Sequence, residues 1–149
     1  PQGGRSIALA EFFTGPGRSL LEPGEIAVSI TVPPPAPGSR RAYLKHGRRK
    51  AMELSTVGVA VSLETEAGLC TGARIALGAV GPVVLRAPLA EALLVGSRLD
   101  AATVAAAARQ AMQECTPISN VRSSADYRRE MVGVLTRRAV TLALEEKAA

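Results

Sequence analysis

The sequence is poor in the residues that carry most metal and nucleophilic chemistry. It has two cysteines, Cys70 and Cys115, one histidine, His46, and no tryptophan. Two cysteines so far apart build no disulfide framework, and beside a single imidazole they exclude the usual zinc and iron–sulfur ligand spacings. Aromatics make up 3% of the 149 residues, so single-stranded nucleic acid would find few rings to stack on. No apolar run approaches the roughly 20 residues of a membrane-spanning helix. The first 15 residues lack the basic start, apolar stretch and cleavage site of an export signal, which favours a cytoplasmic protein with no membrane span. One histidine leaves no Ser-His-Asp or Cys-His arrangement, and no glycines stand at Walker or dinucleotide-loop offsets. Taken alone, the chain offers no catalytic constellation and no metal site.

What is present is a globular balance of 47% hydrophobic and 21% charged residues, enough for one core. The net charge of +5 permits an acidic partner without identifying one.

The first 25 residues read as a connector, punctuated by Gly3-Gly4, Gly15-Pro16-Gly17 and Pro23-Gly24, with a short apolar piece over 7–13. From there Ile26, Val28, Ile30 and Val32 alternate with Ala27, Ser29 and Thr31, predicting a strand that the following prolines end. Further strands are predicted over 41–46, 56–64, 69–77 and, briefly, 83–86. The strands over 56–64 and 69–77 are joined at Glu66-Ala67-Gly68 as a hairpin. Val57, Val59, Val61 and Leu63 form one face of the first hairpin strand, opposite Gly58, Ala60 and Ser62, and Leu69, Thr71, Ala73, Ile75 and Leu77 continue that apolar face on its partner.

The remainder is helical. Pro88 opens a short helix stopped at Gly96. Asp100 caps a second helix that runs to about Glu114, with Leu99 and Val104 as a hydrophobic staple. Ser123 or Ser124 caps a third and longer one, predicted to bury Tyr127, Met131, Val134, Leu135, Ala139 and Leu142 and to leave Arg128, Arg129, Glu130, Arg137 and Glu145 in water. Strands first and helices second give an α+β fold: an antiparallel sheet of three to four strands over 26–87, with a small helical bundle over 88–147 packed on one face.

One cluster invites a function. Lys45, His46, Arg48, Arg49 and Lys50 gather at a strand end, where they could hold a phosphate, a carboxylate or the electron-rich edge of a redox cofactor. A solvated basic loop explains the same residues, and a nucleic-acid surface would need a groove-entering element that is not in evidence.

The order of several short segments resembles a known family. Glu11-Phe12-Phe13-Thr14-Gly15-Pro16-Gly17-Arg18, Leu21-Glu22-Pro23-Gly24-Glu25-Ile26 and Ile30-Thr31-Val32-Pro33 are followed by Tyr43-Leu44-Lys45-His46-Gly47-Arg48-Arg49 and Val57-Gly58-Val59-Ala60-Val61. Then come Ala76-Leu77-Gly78-Ala79-Val80 and the stretch from Pro117 to Tyr127-Arg128-Arg129. Together they are similar to the C-terminal part of the FAD-binding subunit of molybdenum hydroxylases, the family of xanthine dehydrogenases and aerobic carbon monoxide dehydrogenases. The resemblance implies a preceding N-terminal domain that holds most of the FAD, outside these residues. It also implies partner subunits carrying molybdopterin and iron–sulfur clusters, and electron flow through the flavin to an acceptor. A chain of this kind would be inactive alone, without FAD of its own, and would cover the flavin ring when assembled.

The resemblance further implies cofactor contacts at Ile26 or Ala27, through the backbone, at Lys45, a cation near the ring, and at Arg49, near the flavin entrance. Glu53 falls behind them. A non-catalytic scaffold that docks a partner through its helices is the alternative reading.

Overall fold

The computed structural model describes residues 3–49 and 52–145. The chain divides after Pro34 into two units.

In the first unit a single helical turn, α1 (Leu9–Phe12), leads into β1 (Phe13–Gly15), which pairs antiparallel with β2 (Arg18–Ser19). The turn between them needs a left-handed residue, which Gly17 supplies at φ +66°. Arg5 straps this unit together: its guanidinium donates to the Glu25 carboxylate at 2.9 and 2.7 Å and to the Leu20 carbonyl at 2.6 Å. That hydrogen-bonded ion pair lowers the Glu25 pKa. The strand predicted over 26–32 does not form. The segment is extended but enters no ladder among the described residues, and Ile26, Val28, Ile30 and Val32 are 79–87% exposed. A period-two pattern fixes which face a strand would bury, but a strand also needs a neighbour to satisfy its backbone.

The second unit is an antiparallel sheet in the order β3 (Arg40–His46), β4 (Val57–Glu66), β5 (Leu69–Gly78) and β6 (Leu85–Arg86). It is followed by α2 (Pro88–Leu94), α3 (Ala101–Glu114) and α4 (Ala125–Glu145). The α+β expectation holds, with the sheet beginning at Arg40. β4 and β5 turn through Ala67 and Gly68, both at positive φ, the backbone twist that suits a two-residue hairpin. Val57, Val59, Val61, Leu63, Ile75 and Leu77 face the helices and form the core with Leu94, Val104, Val132 and Val140. A register shift at Glu64/Thr65 changes the predicted face of β5: Cys70 points inward, while Leu69 is 39% exposed and Thr71 lies in solvent. An extra residue in one strand flips every side chain beyond it, which alternation alone does not reveal.

The helices follow their caps. Asp100 accepts from the Thr103 N–H at 2.8 Å, Leu99 and Val104 are both buried, and Ser124 accepts from the Tyr127 N–H at 3.2 Å. Glu114 reaches from the end of α3 to accept from the backbone N–H groups of Leu89 and Ala90, capping α2 at a distance. Gly133 lets α4 cross α3 closely, since a Cβ there would lie 2.6 Å from the Met112 sulfur. The buried stripe of α4 is rotated from the predicted one. It runs through Arg128, Val132, Leu135, Thr136, Ala139, Val140 and Ala143, whereas Tyr127 is 46% and Leu142 36% exposed. Arg128, expected in water, is 4% exposed, because its burial rests on hydrogen bonds that an apolar count does not see.

Glu91 of α2 closes the far side of the sheet. Its Oε1 accepts from the Ile75 N–H at 2.8 Å and from Arg86 Nε at 2.7 Å, and its Oε2 from Arg86 Nη2 at 2.7 Å. Glu91→Ala should therefore lower the unfolding free energy by about 2 kcal/mol, read by urea denaturation, because it strands a buried N–H as well as Arg86. Cys70 and Cys115 are 1% and 3% exposed, and burial raises both thiol pKa values. Neither should react with a thiol reagent in the folded protein, and both should react once urea unfolds it.

Candidate functional site

Alternation along the sheet leaves an outer face opposite the helices. Its residues align across strands in three rows: Lys45–Gly58–Gly78, Tyr43–Ala60–Ala76 and Arg41–Ser62–Arg74. The inner face of these strands is branched and apolar, but the middle of the outer face carries nothing larger than a hydroxymethyl group on β4 and a methyl on β5 until Arg74. A shallow recess of about 360 Å³ results, floored by Gly58, Ala60, Ala76 and Gly78 and walled by Tyr43, Leu54 and Val84. These three wall residues are 61–66% exposed and present apolar surface around the recess. Gly58 is needed for the shape, since a Cβ there would come within 3.1 Å of the Tyr43 hydroxyl.

The basic loop leaves β3 at one end of this recess. Lys45 shares the outer face of β3 with Tyr43, and its Nζ donates to the Glu53 carbonyl at 3.1 Å. The Glu53 carboxylate turns back into the loop, where it accepts from Arg48 Nε at 3.2 Å and from the Arg49 backbone N–H, 92% of its side chain being out of water. Desolvation raises its pKa, but the Arg49 N–H and the Arg48 guanidinium outweigh that, and the carboxyl titrates below its ordinary value. Gly47 packs on the same carboxylate, a Cβ there meeting Oε2 at 3.0 Å. Arg49 donates to the Met52 carbonyl. Lys50 lies outside the described residues. His46 faces the helices, and its Nε2 is 3.1 Å from the Tyr127 hydroxyl.

Beneath the same end lies Arg128. Its Nη1 donates to the carbonyls of Thr56 at 2.6 Å and Ala79 at 3.1 Å, and its Nη2 to Asn120 Oδ1 at 2.8 Å. Ala79 lines the recess, as does Ser55 beside Thr56.

Residues 42–143 match the family described as the CO dehydrogenase flavoprotein C-terminal domain. The chain belongs to this family. It is 36% identical over 140 residues to the carbon monoxide dehydrogenase medium chain of Afipia carboxidovorans, covering 94% of this chain and 48% of that protein. It is 30% identical over 145 residues to a putative xanthine dehydrogenase FAD-binding subunit of Escherichia coli, covering 97% and 50%. The solved carbon monoxide dehydrogenase of Hydrogenophaga pseudoflava, a form lacking the Mo-pyranopterin moiety, superposes with a TM-score of 0.93 at 38% identity, over 99% of this chain and 51% of that one. The chain thus spans about half the length of the curated relatives it matches.

Of the four residues that the family resemblance singled out, Lys45 and Arg49 stand on β3 and its loop, while Ile26 and Ala27 belong to the first unit, both exposed. The structure adds two residues to which the sequence reading gives no site role: Tyr43, and Gly58 beneath it. The signal for Gly58 lies in the hairpin, whose outer side holds Gly58, Ala60, Ser62, Ala76 and Gly78, smaller residues than β-propensity favours.

Glu53→Ala should free Arg48 and the Arg49 N–H and speed hydrogen exchange over 47–49, leaving β4 and β5 protected. In the parent protein the same amides should stay protected down past the ordinary carboxylate pKa. A lowered folded-state pKa means that the stabilisation is complete above the unfolded value and disappears as pH falls through the folded one.

Proposed function

We propose that this chain is the C-terminal part of an FAD-carrying subunit of a molybdenum hydroxylase, and that it lays the outer face of its sheet against the flavin ring. The observation that carries this reading is the recess over Gly58, Ala60, Ala76 and Gly78, in a chain 36% identical to a carbon monoxide dehydrogenase medium chain. The residues present suit a planar ring. Three strands span about 10 Å at ordinary strand spacing, the floor beyond the Tyr43 ring that lies over Gly58 carries no side chain larger than a methyl group, and the apolar walls of Tyr43, Leu54 and Val84 offer contact to a ring. Lys45 and Arg49 bring positive charge to one end.

When bound, FAD supplies the relay between one-electron and two-electron carriers. This chain contributes what surrounds it. Tyr43 and the small-residue floor exclude water from one side of the ring and fix its plane. Lys45, held by the Glu53 carbonyl, sets a cation beside it, and Arg49 is tethered near the mouth of the recess. A backbone contact from Ile26 or Ala27 is part of the same proposal for the first unit, where residues 26–32 hold no ladder partner among the described residues. That segment, extended and with alternating apolar side chains, suits addition to strands of an N-terminal FAD-binding domain. The partners proposed for the assembled enzyme are the molybdopterin-binding and iron–sulfur subunits.

The test is FAD binding by the complete flavoprotein subunit. Gly58→Val, which fills the recess, and Tyr43→Ala, which removes its wall, should each weaken FAD affinity at least tenfold, about 1.4 kcal/mol, with the subunit still folded. Unchanged flavin affinity in both variants, with partner subunits still co-purifying, would favour the scaffold reading instead.

A further inference from the structure

We propose that Arg128 is a positioning residue for the flavin site and the principal fixed charge acting on the ring, more so than the exposed Lys45. The inference rests on the proposal that the ring lies in the recess. Three observations lead to it. First, the guanidinium is 4% exposed, and among the described residues it forms no ion pair; its partners are the Thr56 and Ala79 carbonyls and Asn120 Oδ1, all neutral. Its positive charge is therefore neither cancelled by a carboxylate nor bathed in water, and its field reaches further than that of a solvated ammonium.

Second, the carbonyls it grips bracket the recess. Ala79 lines it directly and adopts φ +63°, a left-handed turn that a non-glycine residue holds only when its surroundings impose it. Thr56 follows Ser55, another lining residue. One planar fork thus ties the start of β4 to the end of β5. Third, the residue before it, Tyr127, meets His46 Nε2 at 3.1 Å, so the first turn of α4 reaches the end of β3 as well. The ends of all three strands that frame the recess are set by two consecutive side chains that do not enter it. An ammonium in place of the guanidinium would keep the charge but could not span Thr56, Ala79 and Asn120 in one plane.

The experiment uses the flavin-loaded complex carrying Arg128→Met, Arg128→Lys or Lys45→Ala. It records the midpoint potential of the bound flavin by spectroelectrochemical titration, FAD affinity in the oxidised state, and thermal melting. Removing the charge in Arg128→Met should reduce the preference for reduced over oxidised flavin at least tenfold, about 30 mV for a two-electron couple. Arg128→Lys should restore most of that preference while FAD affinity stays several-fold weaker than in the parent. Lys45→Ala should shift the potential less than Arg128→Met.

A folded Arg128→Met complex with the parent potential would overturn the charge role, and parent affinity in Arg128→Lys would overturn the positioning role. If Arg128→Met does not fold, Arg128→Lys and Lys45→Ala still decide: a lowered potential in the first, or a drop of tenfold or more in that preference in the second, would contradict the proposal. Failure of the recess reading is seen separately, as unchanged FAD affinity in Gly58→Val.

Discussion

A single guanidinium, buried and without a counter-ion among the described residues, holds the sheet to its helices at the end where the loops matter. Arg128 joins the beginning of β4, the end of β5 and the segment leading into α4 through three hydrogen bonds. Charge-assisted bonds contribute about 1.5–3 kcal/mol each, and desolvating one buried ion costs several kcal/mol. The two are of similar size, so net stability is a poor reason to place an arginine there. Geometry is a better one. A planar fork with fixed donor directions sets the spacing of the Thr56 and Ala79 carbonyls to within hydrogen-bond tolerance, a definition that an apolar side chain of equal volume would not provide.

The sheet divides its labour along the same line. On the inner face Val57, Val59, Val61, Leu63, Ile75 and Leu77 are almost fully buried against the helices, and this is where the hydrophobic stabilisation of the unit lies. On the outer face Gly58 and Gly78 stand opposite each other in the two central strands. Glycine inside a strand costs about 0.5–1 kcal/mol relative to alanine, and neither of this pair is needed for a turn. The cost has a use if a flat surface is wanted. Tyr43, Leu54 and Val84 around it expose apolar area, the kind of surface on which something else comes to rest.

The sequence told most where the signal is local. Caps at Asp100 and Ser124, the Ala67-Gly68 turn, the glycine stop at Gly96 and the apolar alternation of β4 all depend on neighbours a few residues away, and all were legible. Legibility failed where the partner is distant. The strand over 26–32 has the right alternation and nothing to pair with in the described residues. The bulge near Glu64 depends on how two strands register. Arg128 is buried by acceptors up to 72 residues away, and so the buried stripe of α4 lies one position out of phase with its apolar pattern. At the site, the basic loop was visible as composition, but its organiser, Glu53, and the Tyr43–Gly58 contact needed the register of β3 on β4.

The central claim is that the outer face of the sheet, and not the helical side, meets the flavin. Photolabelling the complete subunit with FAD that carries an azide on its ring addresses it most directly, because the attachment point is read by peptide mass. Within residues 35–149 the account expects labelling at Tyr43, Leu54, Val84 and their immediate neighbours around the recess. Labelling on the exposed faces of α3 or α4, with none on β3 or the loops at the recess, would contradict it.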